Sequence, residues 1–199
     1  MKGLEKLTSI RLAEALTQKG VVPNEVITDA LYQGRHGESF VEILVSSGGI
    51  TEWDLAKLVV EHFQIPFLMA GSYEVSDEVR ESVPKEELFK HHIVPLDRFG
   101  NVLTIAMPVL TPYEQLAQVA KASGCNLYPY VGLITENRKV LGTMFPDFFD
   151  WQKTEEERRE RELAERSKKR TEATKAEPDS WTDIFDLGDA EVRHSLGDG

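Results

Sequence analysis

Two adjacent histidines, His91 and His92, one cysteine, Cys125, and the neighbours Asp97 and Arg98 have the widest chemical repertoire in this 199-residue chain. Neighbouring side chains on a strand point to opposite faces. His91 and His92, placed just before a strand, therefore do not chelate one metal ion as an i, i+4 helical pair does. His36 and His62 stand apart from them. Cys125 has no base beside it in sequence and reads as a small buried hydrophobe. Asp97 and Arg98 open the stretch Asp97-Arg98-Phe99-Gly100-Asn101, which has the composition of a turn. No G-x-S-x-G, H-E-x-x-H, G-x-G-x-x-G or G-x-x-x-x-G-K-[ST] occurs. Met107, Met144 and the pair Phe148-Phe149 read as packing residues rather than a cofactor box. The expectation is a protein that is not an enzyme and holds neither metal nor cofactor.

Charge and hydropathy narrow the partners. The formal net charge is −11 and the pI about 5.0. Non-specific nucleic-acid affinity comes from Lys and Arg neutralising phosphates, so a nucleic-acid partner is not expected. Apolar runs are a few residues long, against the ~20 needed to span a bilayer, so no membrane insertion is expected. The first twenty residues carry scattered charges and no apolar core of a signal peptide. A cytoplasmic protein is the expectation.

The elements that must position these residues change character twice. Residues 4–63 show only helical periodicity. Leu7 to Leu16 is stopped by Gly20. A second helix carries Val26, Ile27, Ala30 and Leu31. A third carries Phe40, Ile43 and Leu44 and stops at Gly48-Gly49. Thr51, three residues before Asp54, caps a fourth. Beyond Ile65 the pattern mixes. Residues 65–69 are a short extended segment, and 77–82 and 84–90 are short helices. Residues 92–96 and 102–107 form a hairpin. Residues 112–122 are a helix, 127–131 a strand whose Pro129 marks an edge, and 133–144 a last helix. After Phe145 there are ten basic and sixteen acidic residues in 54. The fold class is α+β, in three parts. Residues 1–64 form a helical subdomain of two helical hairpins. Residues 65–146 form a small mixed sheet with packed helices. Residues 147–199 form a charged extension, helical over 154–170 and then disordered linker over 171–180.

The helical part repeats at an offset of 28 residues. Arg11-Leu12-Ala13-Glu14-Ala15-Leu16, with Gly20 and Val22, aligns with Ser39-Phe40-Val41-Glu42-Ile43-Leu44, with Gly48 and Ile50. Ile27 then aligns with Leu55 and Leu31 with Val59. Each unit leaves an apolar stripe that only its neighbour can bury.

This unit resembles the R-L-G-x-x-L-x-x-x-G-x-[LI]-x4-L-x3-L-x-x-Q motif at the start of type II secretion and type IV pilus assembly ATPases, the MshEN or GspE N-terminal-like domain. Val83-Pro84 through His92-Ile93-Val94-Pro95-Leu96, then Asn101 through Met107-Pro108, then Gly124 to Val131 are similar to later segments of the same domain. The resemblance covers residues 7–145. It implies an accessory module that lacks the ATPase phosphate loop, and so no ATP hydrolysis by these residues. It also implies a candidate ligand, because some such domains bind cyclic di-GMP through two motif copies. Arg contacts guanine and phosphate, Gly permits close backbone approach, and leucines pack on the ligand. Carried over, the candidate nucleotide-binding residues are Arg11, Leu12, Leu16, Leu31, Leu44 and Leu55. The copies depart from the motif at Ala13, Gly34, Ser39, Phe40, Val41 and His62, and most of these are positions that a nucleotide would touch.

In the extension, Glu155/Arg159, Glu157/Arg161, Glu162/Arg166 and Glu165/Lys169 are i, i+4 pairs in the favourable direction. Farther on, Trp181, Ile184, Phe185 and Leu187 return as an apolar cluster between Ser180 and Gly188. One reading is a tethered docking motif for a partner. The other is a last helix folded back on the module. Together these residues point to a non-catalytic bacterial adaptor acting by protein–protein contact, with secretion or pilus machinery as the implied partner. The alternative is a cyclic di-GMP receptor domain using the degenerate tandem motif.

Overall fold

Side-chain caps and left-handed stops delimit the first helices. The computed structural model describes residues 3–34 and 39–175. Thr8 Oγ1 accepts a hydrogen bond from the Arg11 amide and opens α1 (Ser9–Lys19), which ends at Gly20 with φ 62°. Next come α2 (Asn24–Gly34), α3 (Phe40–Ser46) and α4 (Glu52–Phe63). Thr51 Oγ1 accepts from the Asp54 amide at 3.2 Å and caps α4. The 28-residue repeat is structural: Gly20 and Gly48 both adopt left-handed φ, 62° and 72°. The paired positions Leu12/Phe40, Ala13/Val41, Leu16/Leu44 and Ile27/Leu55 are all buried. α2 packs against both α1 and α3.

The mixed half contains α5 (Asp77–Arg80), α6 (Lys85–His91), β1 (Val94–Phe99), β2 (Val102–Pro108), α7 (Tyr113–Ser123), β3 (Asn126–Gly132) and α8 (Ile134–Met144). The sheet order is β1-β2-β3, with β1 antiparallel to β2 and β2 parallel to β3. Residues 66–68 run along the far side of β3. There the Val131 amide donates to Pro66 O and the Leu68 amide to Val131 O, both at 2.9 Å. Leu103, Ile105, Met107 and Val131 on one sheet face are fully buried. α4 and α7 lie against β3, and α8 against β1 and β2.

Two strand limits differ from the sequence expectation. β1 starts at Val94 because His92, with φ 49°, serves as the left-handed stop of α6 where no glycine is available. The hairpin turn is only Gly100-Asn101, with φ 60° at Gly100. Glycine at the first central position suits a type II′ turn, whose twist matches the flanking strands and lets β1 continue through Phe99.

The chain divides into two units, Met1–Phe149 and Asp150–Gly199. In the first, Phe148 is fully buried, its ring 5.1 Å from that of Phe89, and Phe149 lies over Gly142. In the second, the charged helix belongs to α9 (Phe148–Lys175), longer at both ends than expected. Residues 171–175 are helical rather than linker, since no Pro or Gly interrupts the chain between Pro146 and Pro178. Arg158 pairs with Glu155 at 2.6 Å and Glu162 at 2.9 Å, and Arg161 with Glu157 at 3.7 Å. Of the four expected pairs, Glu157/Arg161 forms. Glu155 meets Arg158, one residue earlier, instead of Arg159, and the other two reach side chains outside those described. Trp181, Ile184, Phe185 and Leu187 also lie outside the described residues.

Candidate functional site

The tandem motif places its residues unequally. Leu12, Leu16, Leu44 and Leu55 have no exposed surface, and Leu31 is half-buried. Arg11 is exposed on α1. Where the motif has bare backbone, Ala13 is 5% exposed and Val41 2%, so both side chains occupy the interior. Ser39 precedes α3 without a side-chain capping bond, and Gln33 and His62 are exposed. A cavity of about 450 Å³ opens between the end of α1 and the second copy's turn, lined among others by Lys19, Gly48, Gly49, Lys57 and Glu61. None of the six candidate nucleotide residues lines it. Two of its lining residues are paired, Lys19 Nζ lying 2.8 Å from Glu61 Oε2.

A polar junction missed by sequence reasoning lies on the first turn of α8. Four consecutive residues there reach five other parts of the chain. The Thr135 amide and Oγ1 donate to the two oxygens of Glu52, on α4, at 2.9 and 2.8 Å. Glu136 Oε1 accepts from the Gly71 amide at 2.9 Å. Asn137, wholly buried, donates through Nδ2 to His92 O and Ala106 O, both at 2.9 Å. Arg138 meets Glu42, on α3, at 3.0 Å, and the same Glu42 oxygen is 2.9 Å from His92 Nδ1. A carboxylate suits the positive end of a helix, and Glu52 supplies one to α8 from another element. The available signal was the tripeptide Ile50-Thr51-Glu52 recurring as Ile134-Thr135-Glu136. The two copies play different parts: Thr51 caps its own helix, while Thr135 lies inside α8 and is held by the first copy's glutamate.

His91 and His92 diverge. His92 faces Glu42 and the ring of Phe148, 6.0 Å away. His91 is buried, with Nε2 3.8 Å from Glu87 Oε2, and neither atom has a hydrogen-bond partner among the described residues. Burial, helped by the charge of Lys90, pushes its pKa down to about 4, and the neighbouring Gln118 and Gln115 amides only partly oppose the shift. Cys125 is buried, and no cluster of three or more His, Cys, Asp or Glu able to hold a metal occurs among the described residues. No described helix is long and apolar enough to cross a membrane.

Comparison with known proteins covers the mixed half and reaches beyond it. Residues 63–146 match the family model of the MshEN domain. This segment is similar to MshEN domains. Its matched span starts at the end of α4 and takes in the whole sheet and α8. The type IV pilus assembly ATPase PilB of Myxococcus xanthus is 29% identical over 98 residues, 49% of this chain and 17% of that protein. PilB of Thermus thermophilus is 29% identical over 125 residues, 60% of this chain and 14% of that protein. The chain therefore spans less than a fifth of either relative. Among solved structures, that of MshE with cdg superposes with TM-score 0.53 at 17% identity, covering 68% of this chain and 99% of that one. The N-terminal domain of XpsE gives 0.53 at 22%, covering 66% and 92%. The α+β fold expected from the sequence is the fold of these domains.

Proposed function

We propose that this chain is a non-catalytic binding module of the secretion and pilus ATPase type, acting in the cytoplasm through contact with a protein component of such machinery. The observation that carries this reading is the burial of the motif. Leu12, Leu16, Leu44 and Leu55 have their whole surface in helix packing, and Val41 fills the space that close backbone approach would need. A ligand held by leucine faces and bare backbone finds neither here. The second copy also has Ser39 in place of the arginine that would grip a guanine or phosphate. Trp181, Ile184, Phe185 and Leu187 add a second contact in this reading, as apolar anchors of a docking motif.

Calorimetric titration with cyclic di-GMP is the deciding experiment, and no measurable heat is the expected result. Micromolar or tighter binding, abolished by Arg11→Ala, overturns the adaptor reading. It installs the second one, a cyclic di-GMP receptor, which draws its support from the fold shared with MshE and the exposure of Arg11.

A further inference from the structure

Strand register places Phe99, Val102, Thr104 and Tyr128 on one sheet face, opposite the buried Leu103 and Leu127. α8 covers only one end of that face, where Asn137 bonds Ala106 O. Toward the hairpin the face is open: Phe99 is 68% exposed and Tyr128 49%. The Tyr128 ring stands edge-on to Tyr130, with centroids 5.5 Å apart. A solvent-facing sheet surface is ordinarily polar, so two exposed aromatic rings on one face, in neighbouring cross-strand rows, mark a contact surface.

The charge on this face is acidic. Asp97 lies on it, paired in register with Thr104. One of its carboxylate oxygens accepts from the Arg98 amide at 2.7 Å, which fixes the carboxylate at the hairpin end of the face. The one cation of the hairpin, Arg98, falls on the opposite register and donates to Gly100 O. Three strands spaced about 4.8 Å apart make a strip about as wide as a helix. α8 already shows that this face accepts one.

We propose that the open half of the sheet docks a basic amphipathic helix of a protein partner. Aliphatic side chains of that helix pack on Phe99, Val102 and Tyr128. Its Lys or Arg heads meet Asp97, and the tyrosine faces take a cation–π contact. Charge disfavours the other occupants: a second copy of a chain carrying −11, nucleic acid and an anionic membrane are all repelled. The proposal rests on the adaptor reading and names the surface and partner chemistry for it.

The test titrates the full chain, labelled with nitrogen-15, with a synthetic 18-residue Leu/Lys amphipathic helix and with its Leu/Glu counterpart. The expected result is amide shifts gathered at 97–104 and 126–130 with the Lys peptide only. Binding should be weakened about tenfold in the Phe99→Ser/Tyr128→Ser double variant, which should melt like wild type. Shifts confined to the acids of α9, or unchanged affinity in the double variant, overturn the proposal. So does self-association that the double variant abolishes, since the face would then belong to a second copy. Shifts gathered instead on 9–63 overturn it while leaving the adaptor reading intact. Failure of the adaptor reading itself would show separately, in the cyclic di-GMP titration.

Discussion

Acidification should destabilise the first unit through His91, by an amount the structure sets. The imidazole is neutral and buried in the folded state, with a pKa near 4 against 6.5 for the exposed side chain. Between those values the unfolded chain binds a proton that the folded chain refuses, so stability falls as pH drops from about 6.5 towards 4 and is intact above 6.5. At 1.36 kcal/mol per unit, the full shift corresponds to roughly 3 kcal/mol. About 1 kcal/mol of this should be lost between pH 7 and 5.5. The pI is about 5.0, where solubility is lowest, so pH 5.5 is the practical lower point. Glu87, 3.8 Å away, opposes the loss if it swings into an ion pair with the protonated ring. Urea unfolding at pH 7 and 5.5, followed by circular dichroism, reads the effect. For a slope of about 2 kcal/mol per molar, the wild-type midpoint should fall by about 0.5 M more than that of His91→Gln, whose neutral amide has no proton to refuse. Equal falls in both proteins would refute the reasoning, because titration elsewhere would then account for the whole pH dependence.

Asn137→Leu should cost about 2–4 kcal/mol in chemical denaturation, since it leaves the carbonyls of His92 and Ala106 buried without a donor. Gly132→Ala should lower the melting temperature, because its Cβ would come within 2.8 Å of Asn137 Oδ1 and 3.2 Å of the Met107 carbonyl, at a cost of about 1–3 kcal/mol. Glu52→Ala should cost about 1 kcal/mol, as expected for loss of a cap, and the double variant with Thr135→Ala should cost less than the sum of the two single changes. A chain ending after residue 149 should unfold cooperatively. One ending after residue 146 should be about 3 kcal/mol less stable, because it lacks the buried Phe148.

The first four helices were legible because their starts and stops are local. Thr8 and Thr51 cap through bonds three residues long, and Gly20 and Gly48 end α1 and α3 in left-handed turns. The hairpin was legible in place but not in length, because a turn-like composition over 97–101 does not say that two residues suffice. The sequence pattern puts His92 in the strand, because nothing in its type announces a left-handed helix stop. Beyond the repeated Ile-Thr-Glu tripeptide, the α8 junction was not legible. Glu52 and Thr135 are 83 residues apart, and Glu42 and His92 are 50 apart, so only the fold brings them together. The charge pairing of α9 was partly legible: spacing allows Arg158 and Arg159 alike to reach Glu155, and the helix settles on the first.

The two kinds of residue in the tandem motif carry different information. A leucine spaced at four and three residues is what any pair of packed helices requires, with or without a ligand between them. Leu12, Leu16, Leu44 and Leu55 meet that requirement completely, since none has surface left over. Their presence therefore speaks for the helical repeat and says little about a nucleotide. Arginine at the head of a helix and glycine two residues later are not required by packing. Packing favours alanine or valine over glycine in a helix, by up to about 1 kcal/mol in the case of alanine. A chain with Val41 buried at the second glycine position, and Ser39 where the second arginine would be, has the packing half of the motif and not the half that only a ligand explains. Arg11 alone remains of that second kind, exposed on α1 with no ion pair among the described residues. For that reason Arg11→Ala is the control that separates a retained nucleotide site from a helical scaffold turned to another use.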